Sequence, residues 1–325
     1  MNTSTNDATI PARATTPPQD SAMPMTMTLA QRRTVTARQC TAAARAVNKR
    51  LLFGMSTSLK LHAVPLPRSC DDDMLHTVSS SKAKRVRTNP GTLTNHIWAP
   101  LPLAHNTRIN QHVYALDPFH TWAQLSERMP LSSLIPVGEA IITAIARQPA
   151  SANGRTPEAI HRDFAAALAG MPRFKGKRRC LQAMTLIRPH VDSLQESELN
   201  LAMLAHGLPR NIANHTFPDL KFRSGVAMTL DMAWPEYRVA VEYDGDQHRT
   251  EKDQWRRDQE KRERLRGLGW SISVATAGTL DDDAAKADFV FPVARQLALR
   301  GAEVPFRLIA RPLDEMIRDM AKAAA

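Results

Sequence analysis

Apolar residues recur at two periods along this chain, and the places where the period changes divide it. Residues 1 to about 27 have neither period, and their Thr, Pro and Asn content predicts a disordered tail. From Leu29 to about Leu52 the run LAQRRTVTARQCTAAARAVNKRLL predicts a helix with basic residues around it. Short segments broken by Pro and Gly follow: LKLHAVPLP, MLHTVSSS, NHIWAPLP and INQHVYALD. They predict a small α/β unit with several short strands, in which SSSKAKRVR forms a basic loop or strand edge.

From about Asp117 to Pro189 the spacing turns helical. PVGEAIITAIARQ has helical apolar spacing, and TPEAIHRDFAAALAG opens with Thr156 as N-cap, Pro157 at the first helical position and Glu158 in the first turn. RRCLQAMTLIRP predicts a third helix, stopped by Pro189. A helix from about Leu194 to His206 leads into the strand-like NHTFPDLKF, VAMTLDMAW and YRVAVEYDG. A charged helix over about 251–266 and the strand WSISVAT come next, with helices expected over about 283–300 and 312–322. A helix, a run of strands, a crossover helix and another strand predict an α/β fold: a mixed sheet flanked by helices at the C-terminus, preceded by the small α/β unit and a helical region. The organisation expected is a tail (1–27), a basic α/β region (28–125), a helical connector (126–190), an α/β domain (191–300) and a C-terminal helix (301–325).

Charge sharpens this division. Residues 1–190 hold 24 Lys/Arg against 10 Asp/Glu, and residues 191–300 hold 15 against 18. A basic body beside a slightly acidic module suits a phosphate-binding arm joined to a cation-binding catalytic unit, with nucleic acid as partner. Aromatic content of 5% argues against a large base-stacking platform. No apolar run is long enough for a membrane helix, and the first residues lack the plan of a secretion signal. Cys40, Cys70 and Cys180 are odd in number and far apart, which makes neither a disulfide framework nor a zinc site and fits a reducing cytoplasm. GMPRFKGK resembles a phosphate loop only loosely. Its two glycines are wrongly spaced, and Arg replaces the Ser or Thr that would reach magnesium.

The candidate chemistry lies in LDMAWPEYRVAVEYDGDQH, residues 230–248. Alternation puts Val226, Met228, Leu230 and Met232 on one face of the first strand, with Thr229 and Asp231 on the other. In the second strand Val239, Val241 and Tyr243 share one face, and Ala240, Glu242 and Asp244 the other. With Pro235 and Glu236 as the tip of a two-residue hairpin, Asp231 faces Ala240 and lies diagonally from Glu242. Such neighbours are about 7–8 Å apart, close enough for two carboxylates to share a hard cation. Asp231, Glu242 and Asp244 are therefore candidate ligands for Mg²⁺ or Mn²⁺, which would activate water and neutralise charge in phosphodiester hydrolysis.

Ser193-Leu194-Gln195-Glu196 is a capping box, which alone accounts for Glu196, although Glu196 also shares a stripe with Leu199, Asn200 and Met203. His248 is either a surface residue or, four positions beyond Asp244, a proton-transfer group. Arg256, Arg257 and Arg262 on the charged helix, and Lys175, Lys177, Arg178 and Arg179 upstream, are candidate phosphate contacts. A salt-bridged surface is the alternative for the helix.

DMAWPEYRVAVEYDGDQH, followed by WRRDQEKRERLRGLGW and a strand, resembles the very-short-patch-repair endonuclease-like domains of the PD-(D/E)XK, restriction-endonuclease-like superfamily. It is most similar to actinobacterial-type proteins that carry this domain at the C-terminus. The resemblance covers about residues 190–280 and includes SLQESELNLAMLAHGLP, which implies a site role for Glu196. LFGMSTSLKLHAVPLP and VYALDPFHTWAQLSERMP resemble the middle region of the same proteins, shared with abortive-infection antitoxin-like proteins. The winged helix that often precedes it is not recognisable here. The resemblance implies a metal-dependent DNA endonuclease or nicking enzyme acting on duplex, without a small-molecule cofactor. Asp231 matches the first metal aspartate and Glu242 the acidic member of the (D/E)XK element. Asp244 stands where the motif has lysine, and His248 is the implied substitute. The alternatives are a catalytically silent DNA-binding or toxin–antitoxin-type protein, and a nuclease acting on RNA.

Overall fold

A computed structural model describes residues 25–86, 93–245 and 252–323. Of the tail expected over residues 1–27, residues 1–24 lie outside these residues, as does His248, and 25–27 belong to a helix. The fold is α/β, with two mixed sheets and helices at the C-terminus.

In the N-terminal unit α1 (Met25–Ala46), β1 (Leu51–Phe53), α2 (Met55–Leu61), β2 (Leu75–Ser79), β3 (Leu93–Ile97), β4 (Thr107–Arg108) and β5 (Val113–Ala115) build a five-stranded sheet of order β3-β2-β1-β5-β4. β1 runs parallel to β5 and antiparallel to β2, and β2 is parallel to β3. Cys40 and Ala44 of α1 are buried against Leu51, Phe53, Val113 and Ala115, with Ala37, Val47 and Val86 at the margin. Each fully buried side chain of Leu or Phe size contributes about 1.5–3 kcal/mol. The segment LKLHAVPLP differs from expectation, because LKL closes helix α2 rather than forming a strand. Tertiary contacts override its alternation: Ser58 Oγ donates to Leu116 O at 2.6 Å, and Met55 N donates to Gln124 Oε1 at 3.0 Å. Gly54 permits this approach, since a Cβ there would stand 2.2 Å from Val78 Cγ2.

Beneath this sheet β2 and β3 carry a polar chain. His76 Nε2 lies 3.1 Å from the Asp72 carboxylate, His76 Nδ1 lies 3.0 Å from His96 Nε2, and Ser56 Oγ donates to Asp72 at 3.0 Å. Burial, then the neighbouring His76, pushes His96 down to about 4.

The helical region contains α3 (Pro118–Leu125), α4 (Leu131–Ala146), α5 (Pro149–Ala152), α6 (Pro157–Gly170) and α7 (Lys177–Met184). Thr156 caps α6 as its sequence predicts, its Oγ1 accepting from Ala159 N at 3.3 Å. The core joins Trp122, Leu134, Ile141, Ile160, Phe164 and Ile187 to residues from both neighbours in sequence, Met55 and Leu59 on one side and Leu194, Leu201 and Ile317 on the other.

In the C-terminal unit α8 (Leu194–Ala205) leads to β6 (Ile212–Lys221), β7 (Ala227–Trp234), β8 (Val239–Tyr243), α9 (Lys252–Gly267), β9 (Ser271–Ala275), α10 (Asp283–Leu299) and α11 (Leu313–Ala323). The sheet order is β6-β7-β8-β9, antiparallel except for β8 and β9, which the crossover helix α9 joins in parallel. One face packs Met232, Trp234, Val239 and Val241 against Leu199 and Met203 of α8 and Val290, Val293 and Leu297 of α10. The other packs Leu230, Ala233 and Ala240 against Leu265 of α9 and Trp270.

Candidate active site

The β7–β8 register differs from expectation by two residues. Met232 pairs with Val241 and Ala233 with Ala240. Continuing that ladder puts Asp231 level with Glu242, not opposite Ala240. The cause is the turn: Pro235–Tyr237 is a 3₁₀ turn and Arg238 takes φ +48, so four residues rather than two connect the strands.

The expected alternation also breaks at Asp231. Leu230 and Ala233, three apart, share the cluster under Leu265, whereas Met232 packs on the opposite face. Across on β6, Asn214 has φ +48 and falls at the gap between the Ala213–Met232 and His215–Leu230 pairs. A left-handed Asn at a break in a strand pair is the signature of local strand distortion. Its effect is to re-aim Asp231, whose Oδ2 accepts from Tyr243 N at 2.9 Å.

Glu196 arrives from α8. Ser193 Oγ accepts from Glu196 N at 3.1 Å and donates to Glu196 Oε1 at 2.8 Å, while Asp192 N donates to Oε2 at 3.2 Å. Ser193 is thus the N-cap and Glu196 bonds back to it, and the charge of Asp231 acts on the same carboxylate. Burial raises its pKa, and the charge of Asp231 raises it further. Asp231 is raised by burial, then lowered by the Tyr243 N–H and raised again by the charge of Glu242. The charge of Asp231 thus acts on a carboxylate from a separate element, Glu196.

Glu242, 4% exposed, has a different environment. Lys261 Nζ of α9 pairs with its Oε1, and Arg262 Nε lies 3.2 Å from its Oε2. Lys261 also donates to Thr229 O at 3.1 Å. Asp244 lies one residue past β8, its N–H donating to Ala275 O at 2.8 Å, and its carboxylate makes no hydrogen bond among the described residues. Among the described residues no group of three or more His, Cys, Asp or Glu is gathered to hold a metal. Mg²⁺, however, commonly takes only one or two carboxylates and keeps waters for the rest. Asp231 and Glu196 have no ion-pair partner among the described residues, whereas Glu242 is engaged by two cations.

Arg188 joins this site to the helical region. Its N–H donates to Glu139 Oε1 at 3.1 Å, and its Nη1 donates to Asn211 O at 3.3 Å. The charges of Glu139 and Glu196 both act on it. Glu139, 1% exposed on α4, is pushed up to about 7 by burial.

The candidate phosphate contacts separate. Arg262 is tied to Glu242, Lys175 to Glu127 at 2.5 Å, and Arg179 to the carbonyls of Ser126 and Met129 at 2.7 and 3.1 Å. Lys177 binds Met171 O. Arg178 and Arg257 are exposed and have no ion-pair partner among the described residues, while Arg256 is exposed on α9. Lys261 and Arg188 were not expected from sequence. Lys261 was legible, because it lies one helical turn before Leu265, the buried apolar residue that marks the inward face of α9.

No family model matches this chain, and no solved structure matches it. Two uncharacterised proteins of Mycobacterium tuberculosis, from strains CDC 1551/Oshkosh and H37Rv, are each 32% identical to it over 106 residues. The matched segment is 30% of this chain and spans 36% of the length of each of those relatives. Among the described residues no helix is long and apolar enough to cross a membrane.

Proposed function

We propose that the site around Asp231 hydrolyses phosphodiester bonds in DNA with the aid of Mg²⁺ or Mn²⁺. The observation that carries this reading is the placing of Asp231 of β7 level with Glu242 of β8 and within reach of the charge on Glu196 of α8, beside a buried Glu242–Lys261–Arg262 group. A divalent ion held by Asp231 and Glu196 would lower the pKa of water and neutralise developing charge. Lys261, fixed between Glu242 and Thr229 O, supplies a positive charge in the region where the motif lysine is replaced by Asp244. Asp231 is held in place by the Tyr243 N–H, and Glu196 by its cap. Asp244 is an accessory ligand in this reading, and His248 the proton-transfer group. The resemblance to very-short-patch-repair endonuclease-like domains supports the same chemistry.

One observation favours a second reading. Glu242 is already neutralised by two cations, as in a nucleic-acid-binding protein that has kept a nuclease fold without its activity. A plasmid-nicking assay with Mg²⁺ and Mn²⁺ separates the two, run on wild type, Asp231→Asn and Glu196→Gln. The nuclease reading expects metal-dependent nicking, reduced about 10³-fold in either variant, the equivalent of about 4 kcal/mol of lost charge stabilisation. Absence of nicking by folded wild type, with duplex still bound, would leave the silent binder. Cleavage of matched RNA in preference to DNA would change the substrate.

A further inference from the structure

Residues 21–70 contain eight Lys or Arg and no Asp or Glu. Two of the eight are used internally: Arg32 pairs with Asp71 at 2.6 Å, and Lys60 with Asp71 at 3.1 Å. Arg38, Arg45, Lys49 and Arg50 are exposed and unpaired among the described residues. Arg38 and Arg45 are seven residues apart on α1, two turns and about 10.5 Å along one side of the helix. The opposite side of α1 is spent on the core through Ala37, Cys40 and Ala44. Val86 packs at the margin of that same cluster, and just before it Lys82, Lys84 and Arg85 are again exposed and unpaired among the described residues.

We propose that this face, formed by Arg38, Arg45, Lys49 and Arg50 with Lys82, Lys84 and Arg85, binds the phosphate backbone of duplex DNA. It stands apart from the reading of the acidic site, because it requires no chemistry at Asp231. Seven cations with no ion-pair partner among the described residues repel one another, and a polyanion relieves that repulsion. The residues between them decide which polyanion. Thr34 and Gln39 are exposed beside the arginines, and polar side chains of this kind hydrogen-bond to phosphate. A helix that lies in a membrane surface needs a free stripe of large apolar residues. Among the side chains of α1 whose burial is described, Val35 is a lone large exposed apolar residue, while Ala37, Cys40 and Ala44 pack into the sheet.

The test uses the full chain carrying Asp231→Asn, in EDTA, so that cleavage cannot intervene. Fluorescence anisotropy measures binding to a labelled duplex of mixed sequence over a series of salt concentrations. Replacing Arg38, Arg45 and Lys84 together by Gln should lower the slope of log affinity against log salt by about 3, close to one per cation removed. Affinity should fall at least about tenfold at moderate salt, and replacing the two arginines by Lys should leave the slope unchanged. Equal slopes for parent and triple variant would overturn the proposal. So would absence of duplex binding together with variant-sensitive binding to phosphatidylserine vesicles, which would make the face a membrane contact. Loss of nicking in the earlier assay leaves this result untouched, so the two readings fail separately.

Discussion

The two sheets of this protein treat charge in opposite ways. Around the N-terminal sheet Arg38, Arg45, Lys49 and Arg50 are exposed and have no ion-pair partner among the described residues, while Asp72, His76 and His96 are linked through His76. In the C-terminal unit two cations turn inward: Lys261 and Arg262, only 13% and 14% exposed, are tied to Glu242. The net charge of each half, which the sequence displays plainly, therefore says little about where charge acts. A basic surface is available for long-range attraction. A buried ion pair is a fixed local arrangement whose members cost much to separate.

Removing one inward cation is the strongest way to break this contrast. Lys261→Met leaves Glu242 with Arg262 alone, and should destabilise the fold by about 4 kcal/mol. Urea unfolding measures it, and adding Glu242→Gln should recover much of the loss. A cost below about 1 kcal/mol would show that the pair behaves like a surface salt bridge. Next in size is Glu139. Its folded pKa, near 7, is above its ordinary value of 4.5, so its ionised form is penalised in the folded state. Its contribution is therefore most favourable at acid pH and is lost as pH rises through about 7. Glu139→Gln abolishes that loss, so the variant should gain up to about 3 kcal/mol on wild type between pH 5 and pH 8. Parallel unfolding midpoints at the two pH values would refute the assignment. The smallest effect belongs to the outward cations. Arg38→Gln and Arg45→Gln should each change stability by less than about 0.5 kcal/mol, since neither has an ion-pair partner among the described residues. A larger change in unfolding midpoint would place them in an unrecognised structural role.

Much of this architecture was legible from pattern alone. The caps at Thr156 and Ser193, the alternation of β8 and the crossover helix before WSISVAT all follow from local chemistry, and the structure has them. What escaped depended on geometry that spacing does not carry. The register of Asp231 hung on whether the turn used two residues or four, and nothing in WPEYRV reveals that Arg238 adopts a left-handed conformation. The re-aiming of Asp231 belongs to Asn214 on a different strand. Glu196 has an evident local role as a cap, and that the charge of Asp231 also acts on it depends on the fold and not on spacing. The helix at Met55–Leu61 was missed because its Ser and Thr side chains are satisfied by distant residues.

The two-sided use of α8 bears on how the chain reaches this state. Leu194 and Leu201 enter the core of the helical region, while Leu199 and Met203 enter that of the C-terminal sheet. Ile317 of α11 returns to the helical core as well. The core in which Met55 takes part thus stays open until a residue 262 positions later has been synthesised. Such distant closure slows folding and leaves apolar surface exposed meanwhile. The two regions are consequently expected to melt together, and a fragment beginning at residue 191 would carry Leu194, Leu201 and Ile317 into water.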